Sequence, residues 1–359
     1  MNRPVRVAIL GAGRWGHHLI RLFSTLPGVQ LKAVVDPKIH GLARGEQFRS
    51  LPTTVQYLAD WQQALEIKEL NTVVVATPAA THYSVTAAAL ERGLHVLLEK
   101  PMTLTAETCE DLCQLAQRKR LQLVVDHTYL FHPAIRRGKG AIASNQLGHL
   151  RYGYAIRTGL GPIRRDIDSL WDLAIHDIAI FNHWLGQRPV QVSASGSSWL
   201  LPQPCSGFPQ GLADMGWIHL VYPSGFQATI HVSWLNAHRQ RRILVSGERG
   251  SLVFDDMDSP ALMCHRGEIV FADGTFSPTP TVATPIPFKP VEPLRQVCEH
   301  FIHCVRFQHP SDISPGWLGR DLVKVQEKIA VALNTNKPQE LPWEDRGIGE
   351  WEGGISPSF

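Results

Sequence analysis

Two short stretches of this sequence hold side chains whose types and spacing could do chemistry. In the first, the apolar run His95-Val96-Leu97-Leu98 ends on Glu99-Lys100-Pro101. A lysine directly after a strand of buried character is out of place in a core, where a lone charge is costly. Lys100 therefore requires a functional reason. In the second, Trp171-Asp172-Leu173-Ala174-Ile175-His176-Asp177 sets a carboxylate and an imidazole four residues apart, on one face of a helix. Histidine exchanges its proton near neutrality, so such a pair can serve as an acid or base. The apolar neighbours Leu173, Ile178, Phe181 and Leu185 also allow a plainer reading, a capping aspartate beside a satisfied core histidine. Taken alone, the spacing favours the plainer one.

The start of the chain supplies a reason for Lys100. Val5-Arg6-Val7-Ala8-Ile9-Leu10 reads as a buried strand and runs into Gly11-Ala12-Gly13-Arg14-Trp15-Gly16, a G-x-G-x-x-G turn that opens a helix over 15–26. Gly11, Gly13 and Gly16 permit a tight turn and close backbone approach to a pyrophosphate, with Arg14 and Trp15 beside it. The anion then rests on the unpaired N–H groups of the helix N-terminus. A second strand, 31–35, ends on Asp36, whose carboxylate can bind both ribose hydroxyls and repels a 2′-phosphate, so NAD(H) is favoured over NADP(H). Asp36-Pro37 by itself could be an ordinary strand-ending turn; the glycines before it favour the cofactor.

The elements that must position these groups follow in order. Strand and helix alternate through the first third, the pattern of a parallel sheet covered on both faces. A helix is expected over 39–48, a short helix near 60–65, and a strand at Thr72-Val73-Val74-Val75-Ala76 stopped by Thr77-Pro78. Thr81 is expected to cap the next helix, which ends at Gly93. Thr105 is expected to cap the following one, and 121–125 is the sixth strand. The later half shows strand-like runs at 150–158, 190–198, 217–222, 226–233, 242–246 and 251–254, with a helix over 170–185 closed by Gly186. The six prolines from Ser277 to Pro293 suit an extended arm or edge segment, or equally a floppy loop.

The expected fold class is therefore α/β: a Rossmann domain over 1–127, then a domain over 128–346 with a large open, mostly antiparallel sheet and a few helices, and a tail over 347–359. A net charge of +3, from 35 basic and 32 acidic residues, leaves no electrostatic footprint for nucleic acid. No apolar run is long enough to cross a bilayer, so no membrane partner is expected and the chain is read as cytoplasmic. None of the six cysteines forms a C-x-x-C pair, so no metal site is expected and reduced thiols are the default.

Taken together, Gly11-x-Gly-x-x-Gly16, Ala76-Thr77-Pro78 with Thr81-His82, Gly93-x-His-Val-Leu-x-Glu-Lys-Pro101 and Asp172-x-x-x-His176 resemble the glucose-fructose oxidoreductase / inositol dehydrogenase (Gfo/Idh/MocA) family. Pro293-Leu294 to Phe301 is similar to a later helix of that family, so the resemblance spans nearly the whole chain. It implies a Rossmann domain followed by an α/β domain whose sheet face commonly makes a dimer, hence a homodimer or homotetramer. It implies that Lys100 and His176 are the catalytic lysine and histidine and Asp172 the accompanying acid. Thr77, Pro78, His82 and Glu99 match positions near the nicotinamide and its ribose. An arginine common before the phenylalanine after the sixth strand is here Leu130, which leaves Thr128 and Tyr129 as expected substrate contacts. The loop Gly161-Pro162-Ile163-Arg164-Arg165-Asp166 resembles members associated with nucleotide-sugar oxidation. Arg157, Arg164 and Arg165 could meet an anionic substrate there, or Arg164 and Arg165 could simply belong to a solvated basic loop.

The implied activity is hydride transfer between NAD(H) and a secondary hydroxyl or ketone of a sugar, cyclitol or nucleotide sugar. The alternatives are a non-catalytic NAD-binding sensor, a glycosidase that retains NAD, and a reductase of a non-sugar substrate such as a linear tetrapyrrole.

Overall fold

The computed structural model describes residues 4–42, 48, 51–205 and 208–344. Part of the helix expected over 39–48, and the tail over 347–359, lie outside these residues. The chain divides into two units, one of Met1–Phe131 with Val291–Lys324 and one of His132–Pro290 with Val325–Phe359.

In the first unit, β1 (Val5–Leu10), β2 (Val29–Val35), β3 (Gln56–Leu58), β4 (Thr72–Val75), β5 (His95–Glu99) and β6 (Leu123–Asp126) form a parallel sheet in the order β3-β2-β1-β4-β5-β6. Val7, Ile9, Val34, Val73, Leu98 and Val124 are fully buried, as expected of strands covered on both faces. The strand order reverses at β1, which opens a crevice at the C-terminal edge between β1 and β4. Connecting the strands are α1 (Arg14–Phe23), α2 (Ile39–Leu42), α3 (Trp61–Leu65), α4 (His82–Glu91) and α5 (Ala106–Arg118). Thr105 caps α5 as expected, its hydroxyl accepting the Thr108 N–H at 3.2 Å. Thr81 does not cap α4. The chain enters α4 through a tight turn over Ala79–Thr81, and the Thr81 hydroxyl turns back to Pro78 O and Thr77 Oγ1, each at 2.7 Å.

The second unit contains α6 (Pro133–Ala143), α7 (Ile175–Leu185) and a nine-stranded sheet. Its strands are β7 (Leu150–Leu160), β8 (Gln191–Ser197), β9 (Met215–Val221), β10 (Gln227–Ser233), β11 (Leu235–Gly247), β12 (Gly250–Asp255), β13 (Leu262–Arg266), β16 (Val282–Pro285) and β17 (Gln339–Glu340). They run in the order β16-β13-β12-β11-β7-β10-β9-β8-β17. Among the described residues of this sheet only β7 and β10 pair in parallel. A separate hairpin joins β14 (Ile269–Ala272) to β15 (Thr275–Pro278). The proline-rich stretch thus supplies the edge strand β16, where missing N–H donors do least harm. One sheet face packs on α7 so closely that a Cβ at Gly153 would stand 2.8 Å from Phe181 and 2.9 Å from Phe226. The other face presents Tyr152 and Trp217, the latter stacked on His231 at 3.9 Å.

The first unit takes in a later stretch of the chain, Val291–Lys324. Helix α8 (Pro293–Phe307) packs on α1, β1 and β6, and buries Leu294, Val297, Cys298, Phe301 and Ile302. The segment after it bonds to β6, the Ser314 hydroxyl donating to Val125 O at 2.7 Å. An amphipathic pattern shows which face of a helix is buried and is silent on what buries it. Among the described residues no helix is long and apolar enough to cross a membrane.

Candidate active site

The nucleotide cradle is built from backbone. Gly11 has φ +101°, and a Cβ there would lie 2.4 Å from Ala76 O; a Cβ at Gly16 would lie 2.1 Å from Gly11 O. Both glycines are required by the protein itself. Gly13 differs, because a Cβ there meets nothing within 4 Å, so the space above it is open to a ligand. Helix α1 begins at this point with no side-chain cap and no acidic residue in its first turn. Its leading N–H groups and dipole are left for an anion such as a pyrophosphate. Asp36 is held in the same crevice: Oδ2 accepts the Ala12 N–H at 3.0 Å and Oδ1 the Lys38 N–H at 2.9 Å. Each carboxylate oxygen has a further lone pair, so capacity remains for ribose hydroxyls. The residues present fit a dinucleotide.

The same edge carries Thr77 after β4, Glu99 and Lys100 at β5, and Asp126 at β6. Lys100 is half-buried, which removes the objection to a lysine after a core strand, since it leaves the sheet at its rim. His82 is 1% exposed, with Nδ1 2.8 Å from Pro101 O and Nε2 2.9 Å from Thr77 O. Its ring ties the Lys100 turn to the β4 loop. Asp126, unnoticed in the sequence, accepts the Thr128 hydroxyl at 2.6 Å and the Trp15 indole N–H at 3.5 Å. Trp15 thereby reaches from the glycine turn to the end of β6. Thr128 and Tyr129 are half-buried in a short turn directly after β6.

In the second unit, Leu170–Ala174 forms a π-helical turn before α7, where a continuous α-helix was expected. Such turns re-aim side chains and recur at functional sites. Asp172 stands on this turn and accepts Arg164 Nη1 at 3.2 Å; the same guanidinium grips Asp166 at 2.9 and 2.6 Å. Arg164 therefore fixes the loop to the acid, a role that neither expectation for it included. His176 is half-buried in the first turn of α7. Asp168 caps the π turn through the Trp171 N–H at 2.9 Å, and burial pushes its carboxyl up to about 7.

Arg157 has a different job from the expected one. It is 5% exposed and its fork meets Asp177 through Nε–Oδ2 at 2.9 Å and Nη2–Oδ1 at 2.7 Å. A buried guanidinium held in both directions by one carboxylate is a structural pair that ties β7 to α7, and is withdrawn from substrate contact. Breaking such a pair leaves an uncompensated buried charge, so Arg157→Ala is expected to lose roughly 3–5 kcal/mol of stability. Urea unfolding measures this directly; a loss under about 1 kcal/mol, the range of an exposed pair, would contradict the assignment.

Residues 5–127 match "Oxidoreductase family, NAD-binding Rossmann fold" and residues 135–253 match "GFO/IDH/MocA C-terminal domain". The chain belongs to the Gfo/Idh/MocA oxidoreductase family. It is an oxidoreductase whose first unit is the family's NAD-binding Rossmann domain. UDP-N-acetylglucosamine 3-dehydrogenase of Acidithiobacillus ferrooxidans is 27% identical over 267 residues, covering 73% of this chain and 78% of that protein. The scyllo-inositol 2-dehydrogenase (NAD(+)) of Bacillus subtilis is 28% identical over 259 residues, covering 70% and 74%. A solved structure of UDP-N-acetylglucosamine 3-dehydrogenase from Acidithiobacillus ferrooxidans has a TM-score of 0.75 at 24% identity. It covers 91% of this chain and 97% of that one, and at this identity it speaks for the fold alone.

Proposed function

We propose that this family member transfers a hydride between NAD(H) and a secondary hydroxyl or ketone of a sugar, cyclitol or nucleotide sugar. The observation that carries the reading is Lys100, half-buried on the sheet edge that also holds Gly13 and Asp36. The cofactor supplies the hydride acceptor or donor. Oxidation of an alcohol also releases a hydroxyl proton, and His176 takes it, since an imidazole works efficiently near neutral pH. In the reductive direction the same ring returns it. The Lys100 ammonium donates to the reacting oxygen and stabilises its developing charge. Asp172, held by Arg164, orients the hydroxyl or the imidazole. Thr128 and Tyr129 stand after β6 as substrate contacts. Gly11, Gly13, Arg14, Trp15 and Gly16 hold the pyrophosphate half; Thr77, Pro78 and Glu99 border the nicotinamide half, with His82 as the tie that fixes their loops.

The exposed sheet face around Tyr152 and Trp217, 52% and 48% accessible, fits burial against a second copy in a dimer or tetramer, and the protein works in the cytoplasm. Turnover tests the activity: NAD and a panel of sugars, inositols and UDP-sugars should give NADH with one class, and no turnover on any class would overturn the reading. Asp36 gives a sharper test of the cofactor. Asp36→Ser removes the charge that repels a 2′-phosphate and should narrow the NADH-over-NADPH affinity ratio by roughly tenfold. An unchanged ratio would remove Asp36 from cofactor selection.

A further inference from the structure

Glu99 closes β5 and Asp126 closes β6, in register across adjacent parallel strands, so their side chains leave the same side of the sheet at its C-terminal edge. They are 9% and 1% exposed, so two buried carboxyl groups end side by side on paired strands. Two buried carboxyls placed next to each other do not both ionise, so the pair holds one proton. The other contacts of Asp126 are donors to it, Thr128 Oγ1 at 2.6 Å and Trp15 Nε1 at 3.5 Å. Burial pushes both carboxyls up, Glu99 the further in spite of the Lys100 charge and N–H beside it; the two donors offset part of this at Asp126 and leave the proton on Glu99, whose Oε1 is buried with no hydrogen-bond partner.

The surrounding groups add few charges. His127 follows Asp126 and is neutral, pushed down to about 3 by burial and by the Lys100 charge. Cys298 of α8 lies within electrostatic reach of both carboxyls and of Glu292 and Glu299, and burial holds it as a thiol. What remains beside the pair is the Lys100 ammonium, one residue along from Glu99. A dinucleotide laid from Asp36 across the glycine turn continues over the ends of β4, β5 and β6. Its oxidised ring is positive and its reduced ring neutral.

We propose that Glu99 and Asp126 act as a positioning pair that shares one proton and presents a single negative charge to the nicotinamide end, so that the site favours the oxidised cofactor. The inference rests on the NAD reading for its ligand, whereas the shared proton belongs to the protein alone. Two measurements separate them. Infrared difference spectra of the cofactor-free protein at neutral pH, wild type against Glu99→Gln and against Asp126→Asn, should show the C=O stretch of a protonated carboxyl in the wild type only. A wild type without that band overturns the proposal, whatever the protein binds.

Affinities for NAD+ and NADH, followed by fluorescence, then test the consequence. Either amide substitution alone leaves one carboxylate, and should move the NAD+/NADH affinity ratio by less than about threefold. Glu99→Gln with Asp126→Asn removes the charge and should cost the oxidised form roughly tenfold relative to the reduced, the scale of a charge–charge contact near a protein surface. An unmoved ratio in the folded double variant overturns the proposal, as does a single variant that shifts as far as the double. If the wild type shows the infrared band but binds neither cofactor, it is the NAD reading that falls, and with it the ligand assigned to the pair.

Discussion

Lys100→Ala is expected to lower kcat by about 10² or more while NADH still binds, the scale set by removing one donor to a developing oxyanion. The two halves of that expectation come from different features. The cofactor is gripped by backbone, through Gly11, Gly13, Gly16 and the uncapped start of α1, and by Asp36, none of which the substitution touches. The loss falls on the chemical step because an ammonium at the reacting oxygen matters most where charge builds up. Steady-state kinetics and a fluorescence titration with NADH separate the two. Unchanged kcat would remove Lys100 from the mechanism, and lost NADH binding would make it a cofactor ligand first.

Replacing His176 should act on the proton and leave the cofactor alone. A positioned acid or base contributes typically ~10²–10⁴ in rate, so His176→Ala is expected to lose kcat on that scale, with NADH affinity close to wild type. The pH profile adds a check that a folding defect would not mimic. In the oxidative direction the wild type should lose activity as the imidazole is protonated, a limb on the acid side that the variant should lack. A variant that keeps the limb would show another group to be the base, and Asp168, with its carboxyl pushed up to about 7, would be the next to test.

Much of the first unit was legible because its signals are local. The glycine turn, the β-branched run into Thr77-Pro78 and the strand ending on Glu99 each specify their own geometry within a few residues. The parallel sheet then brings their ends to one edge. What escaped the sequence reading was decided at a distance. Arg157 had the residue type of an anion ligand, and its burial against Asp177 depends on β7 packing beneath α7, 20 residues on. A charge of each sign within apolar runs was the available signal. Asp126 drew no notice because strand order alone reveals that it ends beside Glu99. The return of α8 to the first unit is likewise a matter of tertiary packing. The π turn under Asp172 has the same three-to-four-residue periodicity in sequence as the helix it opens, so spacing could not announce it.

The claim that hydride passes between substrate and nicotinamide is tested most directly by isotope transfer. The substrate class that gives turnover would be deuterated at the carbinol carbon, incubated with the enzyme and NAD+, and the recovered NADH examined by mass spectrometry. One deuterium on the nicotinamide ring per product formed is the expected result. Product formed with an unlabelled nicotinamide, the deuterium retained on carbon or lost to solvent, would contradict it.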